Sequence, residues 1–173
     1  MSTDHRDRAE VSSPRSRRRV YSAWVLFLGT AVILMLVATR YRMILVVGDS
    51  MHPTFRTGDL VWVDRQAYDS VAPQESDVVV ARVQGQFVLK RIVGLPGQDV
   101  EVRDGVVFLD DQPRPLPHPA TRTGLDVERG VLGKDKYAIL GDNRAQTSHP
   151  TLHAVIPKQA IVGRVVGHLS LRP

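Results

Sequence analysis

Two hydrophobic patterns divide the chain. From Val20 to Thr39 no position is charged, and the runs Trp24-Val25-Leu26-Phe27-Leu28 and Ala31–Ala38 dominate. As a helix at about 1.5 Å per residue, this stretch spans about 30 Å, the thickness of a bilayer's hydrocarbon layer. Its apolar residues fall on every side, and Arg19 and Arg40 bracket it. A buried core helix would not show such flanks. A cleavable leader would have a shorter apolar core followed by small residues, and Ala38-Thr39-Arg40 fits that poorly. The pattern predicts a retained membrane anchor over residues 20–39.

Beyond Arg40 the period changes to short β-type runs. Strands are expected over Met43–Val47, Leu60–Asp64, Asp77–Val83, Gln86–Gly94, Asp99–Arg103, Val106–Leu109, Lys136–Leu140 and Ile161–Leu169. Gly58-Asp59, Gln84-Gly85, Pro96-Gly97, Asp104-Gly105 and Gly141-Asp142-Asn143 separate them, and Asp104-Gly105 suits a two-residue hairpin. The proline-rich stretch Pro113–Pro119 lacks backbone donors, so it cannot be a central strand; it is expected to begin a loop reaching Asp135. No helical period stands out after the anchor. The expected fold is mainly β, a folded antiparallel sheet or partly open barrel, over residues 40–173.

Charge adds an orientation. The formal net charge is +5. Residues 1–19 form a basic tail, with six arginines against Asp4, Asp7 and Glu10, and residues 1–18 are expected to be unordered. Because the basic cluster abuts the apolar span, a bilayer is the simpler partner and nucleic acid is not expected. The arginine asymmetry puts the N-terminus in the cytoplasm and residues 41–173 outside. The absence of cysteine excludes disulfides and thiolate chemistry.

Candidate chemistry centres on Ser50, in Gly48-Asp49-Ser50-Met51-His52-Pro53-Thr54, and on Lys90, forty positions later. A serine hydroxyl needs a base. None of the six histidines, at 5, 52, 118, 149, 153 and 168, lies in a triad context. A lysine can serve if burial lowers its pKa from about 10.4 towards 7–8, a bias of roughly 3–5 kcal/mol. Alternation puts Lys90 on one strand face with Val88 and Ile92, and Arg91 on the other with Leu89 and Val93. Periodicity does not choose which of the two is buried, but arginine cannot be the base at neutral pH. His149 and His153 have metal-ligand spacing on a helix, yet Pro150 disfavours helix there, and no metal is expected.

Four boxes occur in order: Gly48-Asp49-Ser50-Met51-His52-Pro53-Thr54, Gly58-Asp59-Leu60-Val61-Trp62-Val63, Lys90-Arg91-Ile92-Val93-Gly94-Leu95-Pro96-Gly97 and Gly141-Asp142-Asn143-Arg144. Together they resemble the bacterial type I signal peptidase family, membrane serine peptidases with a Ser–Lys dyad. The resemblance covers roughly residues 20–170. It implies a mainly β fold, Ser50 as nucleophile and Lys90 as general base, and no cofactor. It implies substrates that are precursor proteins carrying signal peptides, bound as an added β-strand, with removal of the signal peptide by endopeptidase action at the membrane. Met51 would pack near the cleft, and Pro53 and Thr54 would fix the Ser50 loop. Asp142, Asn143 and Arg144 would form scaffold, with Asp142 and Arg144 paired. The oxyanion donor would be the Ser50 N–H. Some relatives add a serine hydroxyl two positions before the nucleophile; here that position is Gly48, whose backbone, or a water, would substitute. Apolar side chains around Met43–Val47 and Phe55 would meet the lipid surface.

The departure from the family pattern follows Arg144. Thr147 stands where a serine hydroxyl would hydrogen-bond the lysine amine, and His149 and Thr151 replace an acidic residue and an arginine. A peptidase dedicated to one precursor, such as a conjugative pilin, therefore remains an alternative. A non-catalytic membrane-anchored β module is the other, against which the presence of both Ser50 and Lys90 argues. A self-cleaving repressor would need a DNA-binding region where this chain has its apolar span.

Overall fold

The structure, a computed structural model, describes residues 14–104, 106–115, 127–143 and 155–170. The chain divides into two compact units, Met1–Thr39 and Arg40–Pro173.

Helix α1, Pro14–Arg40, supplies the described part of the first unit, and its last residue is the first of the second. It begins inside the segment expected to be unordered. Proline suits the first turn of a helix, where its missing N–H would have no partner anyway. Tyr21–Arg40 has a mean hydropathy of 2.2 and is long and apolar enough to cross a membrane, with none of it buried in the protein. The hydroxyls of Thr30 and Thr39 donate to the carbonyls of Leu26 and Leu36 at 2.9 and 2.8 Å, so neither presents an unmet donor on that apolar surface.

The second unit is built from β1 (Tyr41–Leu45), β2 (Leu60–Asp64), β3 (Val78–Val83), β4 (Gln86–Gly94), β5 (Asp99–Arg103), β6 (Val106–Leu109), β7 (Gln112–Arg114), β8 (Val127–Val131), β9 (Lys136–Leu140), β10 (Val155–Pro157) and β11 (Ile161–Leu169). They form a seven-stranded sheet, β1-β2-β11-β3-β4-β9-β10, and a four-stranded sheet, β7-β6-β5-β8. The strand pairs are antiparallel, and neither sheet closes into a barrel.

Tight hairpins set the registers. Gln84 and Gly85 (φ 49° and 80°) turn β3 into β4 with Val83 opposite Gln86, and Asp110 and Asp111 (φ 50° and 63°) turn β6 into β7. Left-handed residues at both central positions match the twist of the flanking strands. The expected Asp104-Gly105 hairpin pairs Arg103 with Val106.

Three strands escaped the hydrophobic pattern. β7 carries Pro113 opposite Phe108, at a sheet edge where a missing donor is tolerated. β8 reads Val-Glu-Arg-Gly-Val, and β10 has three residues. Both are edge strands, which need little apolar content. β1 lies two residues before the expected run, beginning immediately after Arg40.

β3 explains the packing. Its Val79, Ala81 and Val83 join Ile92, Tyr137, Ile139 and Ile156 in one cluster. Val80 joins Val61, Val63, Val46, Met51 and Phe55 in another on the opposite face. A strand covered on both sides reads as a continuous apolar run, as Val78–Val83 nearly does. A third cluster brings Val93, Ala138 and Leu140 of the larger sheet against Val100, Val102, Val107 and Leu109 of the smaller.

Candidate active site

After β1 the chain stays extended: Val46 N–H donates to the Asp59 carbonyl at 2.8 Å, and Gly58 N–H donates to the Val46 carbonyl at 2.9 Å. Gly48 then takes φ +94°, a conformation that favours glycine. A turn follows in which His52 N–H donates to the Asp49 carbonyl at 3.0 Å and Phe55 N–H to the Met51 carbonyl at 2.9 Å. Met51 and Phe55 are 1% and 5% exposed and anchor this loop in the core. Phe55 also meets His168 edge-on, 5.3 Å between ring centroids. It is therefore not a lipid-facing side chain, contrary to expectation: the loop needs it as a core anchor. Met43, Leu45 and Val47 are exposed.

Lys90 lies on β4, opposite Val79 of β3. Pairing of β4 with β9 starts only at Arg91, so among the described residues Gln86–Lys90 leaves one edge unpaired. β1 is an edge strand of the same sheet. A cleft of about 330 Å³ lies between these two edges, lined by Ile44–Gly48 of one and Phe87–Lys90 of the other, with Ser50 and Met51 at its wall. Burial pushes the Lys90 amine below the ordinary lysine value, opposed in part by the charge of Asp142. Among the described residues no hydrogen bond engages this amine.

Residues 141–143 join the two candidate groups. A Cβ added to Gly141 would stand 2.4 Å from the Ser50 carbonyl oxygen and 3.2 Å from Lys90 Nζ. Only a residue without a side chain fits there. Asp142, 7% exposed, receives Arg91 Nε at Oδ1 (2.8 Å) and Arg91 Nη2 at Oδ2 (2.7 Å), and the Thr54 hydroxyl donates to Oδ2. Arg91 Nη1 donates to the Ser76 carbonyl at 2.9 Å. Asn143 donates twice: its N–H to the Ser50 carbonyl (2.9 Å) and its Nδ2 to the Asp49 carbonyl (3.0 Å).

Of the residues singled out in the sequence, Gly48, Ser50, Met51 and Lys90 line one cleft, and Asp142 and Asn143 stand behind it. Arg144, Thr147, His149 and His153 lie outside the described residues. The expected Asp142–Arg144 pair falls there too; the described partners of Asp142 are Arg91 and Thr54. Gly48 N–H donates to Thr57 Oγ1 at 2.9 Å, so it is committed within the loop rather than offered as a second oxyanion donor. Sequence reasoning allowed Arg91 to be buried but missed its pairing with Asp142, 51 residues away, and the close approach of Gly141. The hint of both was their place in the third and fourth boxes. Among the described residues no group of three or more His, Asp or Glu side chains is placed to hold a metal ion.

The family profile described as "Signal peptidase, peptidase S26" matches residues 18–169. A probable signal peptidase I-1 of Synechocystis sp. is 30% identical over 128 residues, covering 68% of this chain. The present chain spans 65% of that relative's length. Signal peptidase IB of Staphylococcus aureus is 23% identical over 163 residues, covering 82% of this chain and 85% of that protein. The crystal structure of a signal peptidase I from Enterococcus faecalis V583 superposes with a TM-score of 0.43 at 20% identity, over 54% of this chain and 96% of that one. By the extent of the profile match, this chain belongs to the signal peptidase family, peptidase S26.

Proposed function

We propose that this chain is a membrane-anchored serine endopeptidase that removes signal peptides from exported precursor proteins, with Ser50 as nucleophile and Lys90 as general base. The observation that carries the reading is the placement of both side chains on one cleft between two strand edges that are unpaired among the described residues, with the lysine amine desolvated. The family relationship and the names of the relatives support the substrate class.

In the proposed reaction, an extended precursor segment lies between β1 and Gln86–Lys90 and bonds to the backbone groups along these edges. The neutral Lys90 amine takes the proton of Ser50 as Oγ attacks the scissile carbonyl carbon. The carbonyl electrons move onto oxygen, where the Ser50 N–H donates to the oxyanion. Collapse breaks the C–N bond, and the Lys90 proton passes to the departing amine. Lys90 then deprotonates a water, which attacks the acyl carbon; the bond from that carbon to Ser50 Oγ breaks, and the Lys90 proton returns to Oγ. Apolar lining residues such as Ile44, Val46 and Leu89 suit small uncharged side chains beside the bond.

Helix α1 is the proposed single membrane span, with its basic N-terminal side in the cytoplasm and residues 41–173 outside. The exposed Met43, Leu45 and Val47 suit contact with the lipid surface. The test is precursor processing in detergent by Ser50→Ala and Lys90→Ala, with circular dichroism to confirm folding. Each variant is expected to lose processing while remaining folded; full activity in either would reject the dyad.

A further inference from the structure

One residue fixes both peptide units that flank Ser50. A trans peptide is planar, so its C=O and N–H point in opposite directions. The unit joining Asp49 to Ser50 has its carbonyl oxygen held by two donors, Asn143 Nδ2 at 3.0 Å and His52 N–H at 3.0 Å. The Ser50 N–H of that unit is thereby aimed the other way, and among the described residues it makes no hydrogen bond. The next unit, joining Ser50 to Met51, has its carbonyl oxygen held by Asn143 N–H at 2.9 Å. Asn143 is itself well supported. Gly141 lies against the Ser50 carbonyl, and Asp142 is tied to Arg91 of β4 and to Thr54 of the nucleophile loop.

We infer that Asn143 is a positioning residue for the reaction: through its grip on the Asp49 and Ser50 carbonyls it aims the Ser50 N–H at the site where the oxyanion forms. The inference rests on Ser50 being the nucleophile. A donor helps the transition state only if it is already oriented when charge develops. The Ser50 N–H belongs to a loop residue two positions after Gly48, which has no Cβ to restrict its backbone. From position 143, holding the Asp49 carbonyl takes a side-chain donor, and the Asn143 amide N–H supplies it beside the His52 N–H. Aspartate has the same shape but presents oxygen to oxygen, and alanine presents nothing.

The test uses the full chain in detergent and a peptide spanning a processing site, with Asn143→Ala, Asn143→Asp and Ser50→Ala. The kcat of Asn143→Ala should fall about tenfold to a hundredfold, with KM within about twofold. Asn143→Asp should lose at least as much. A peptide aldehyde of the same sequence probes the oxyanion directly: Ser50 Oγ bonds to the aldehyde carbon, the C=O π bond breaks and the serine proton passes to Lys90. Its affinity should weaken by the same factor as kcat. The uncleaved peptide should bind Ser50→Ala and Ser50→Ala/Asn143→Ala equally.

An unchanged kcat, a loss confined to KM, or an unchanged aldehyde affinity would overturn the inference. So would failure of both Asn143 variants to fold by circular dichroism, since the residue would then serve the fold alone. Cleavage by Ser50→Ala would instead reject the serine reading itself. An inactive Ser50→Ala beside a normal Asn143→Ala would reject only the role of Asn143.

Discussion

Arg91 and Asp142 form a two-pronged ion pair in the core, Nε to Oδ1 at 2.8 Å and Nη2 to Oδ2 at 2.7 Å, their side chains 9% and 2% exposed. The pair ties β4, one residue past Lys90, to the segment that holds the Ser50 carbonyl. Both carboxylate oxygens are used, and the remaining nitrogen Nη1 reaches the Ser76 carbonyl, so the charges are matched and hydrogen-bonded.

Removing one partner leaves the other charge buried and unmatched. Asp142→Leu and Arg91→Met should each cost about 3–5 kcal/mol of stability. The double variant should recover part of that loss, because two apolar groups leave no orphaned charge. Denaturant unfolding of the four proteins checks this. Losses that simply add in the double variant would show that the two residues do not act as a pair.

Gly141→Ala tests the close approach behind the dyad. Its Cβ would meet the Ser50 carbonyl at 2.4 Å, a backbone atom that cannot swing aside, and Lys90 Nζ at 3.2 Å. The nucleophile loop and the amine must then move apart. Displacement of reacting groups by about 1 Å costs on the order of a hundredfold, and kcat/KM of Gly141→Ala should fall by at least about that much, with the circular dichroism spectrum retained. Near-normal activity would mean that the spacing of Ser50 and Lys90 tolerates the shift.

The desolvated lysine makes a prediction of definite sign. Its folded pKa lies below the unfolded value, so the folded state binds this proton less readily. The stability it permits at high pH, above the unfolded lysine value, is lost as pH falls through the folded value. Lys90→Met removes the ionisable group at similar length. The variant should therefore be more stable than the parent at neutral pH, with the advantage shrinking as pH rises towards the unfolded lysine pKa. A thermal-melting series from neutral to alkaline pH reads this. A constant difference, or one growing with pH, would contradict a lowered Lys90 pKa.

Much of this arrangement was legible in the residues, and the part that was not has a physical reason. The runs at Leu60–Asp64, Gln86–Gly94, Asp99–Arg103, Val106–Leu109, Lys136–Leu140 and Ile161–Leu169 are the observed strands; the first five bury Val, Ile or Leu, and the last, whose one buried residue is Gly163, shows itself by its β-branched content. β8 was hidden because an edge strand can carry Glu128, Arg129 and Gly130 without penalty. Periodicity could not choose between Lys90 and Arg91 because both are drawn inward, one to the cleft and the other to Asp142. The pairing of Arg91 with Asp142 joins strands far apart in sequence, and no local pattern encodes it. Gly141 looked like a turn residue; its importance lies in a side chain it lacks, which only the approach of Ser50 and Lys90 reveals.

During turnover Ser50 should carry the acyl group, and Lys90 should make this possible. Rapid mixing of the full chain with a peptide substrate, acid quenching and mass spectrometry of the digested protein locate that group directly. The expected result is an added mass equal to the N-terminal substrate fragment less the elements of water, on the peptide containing Ser50. It should disappear in Lys90→Ala. An acyl group found on another residue, or present at full level on Ser50 in Lys90→Ala, would reject Ser50 as nucleophile or Lys90 as its base.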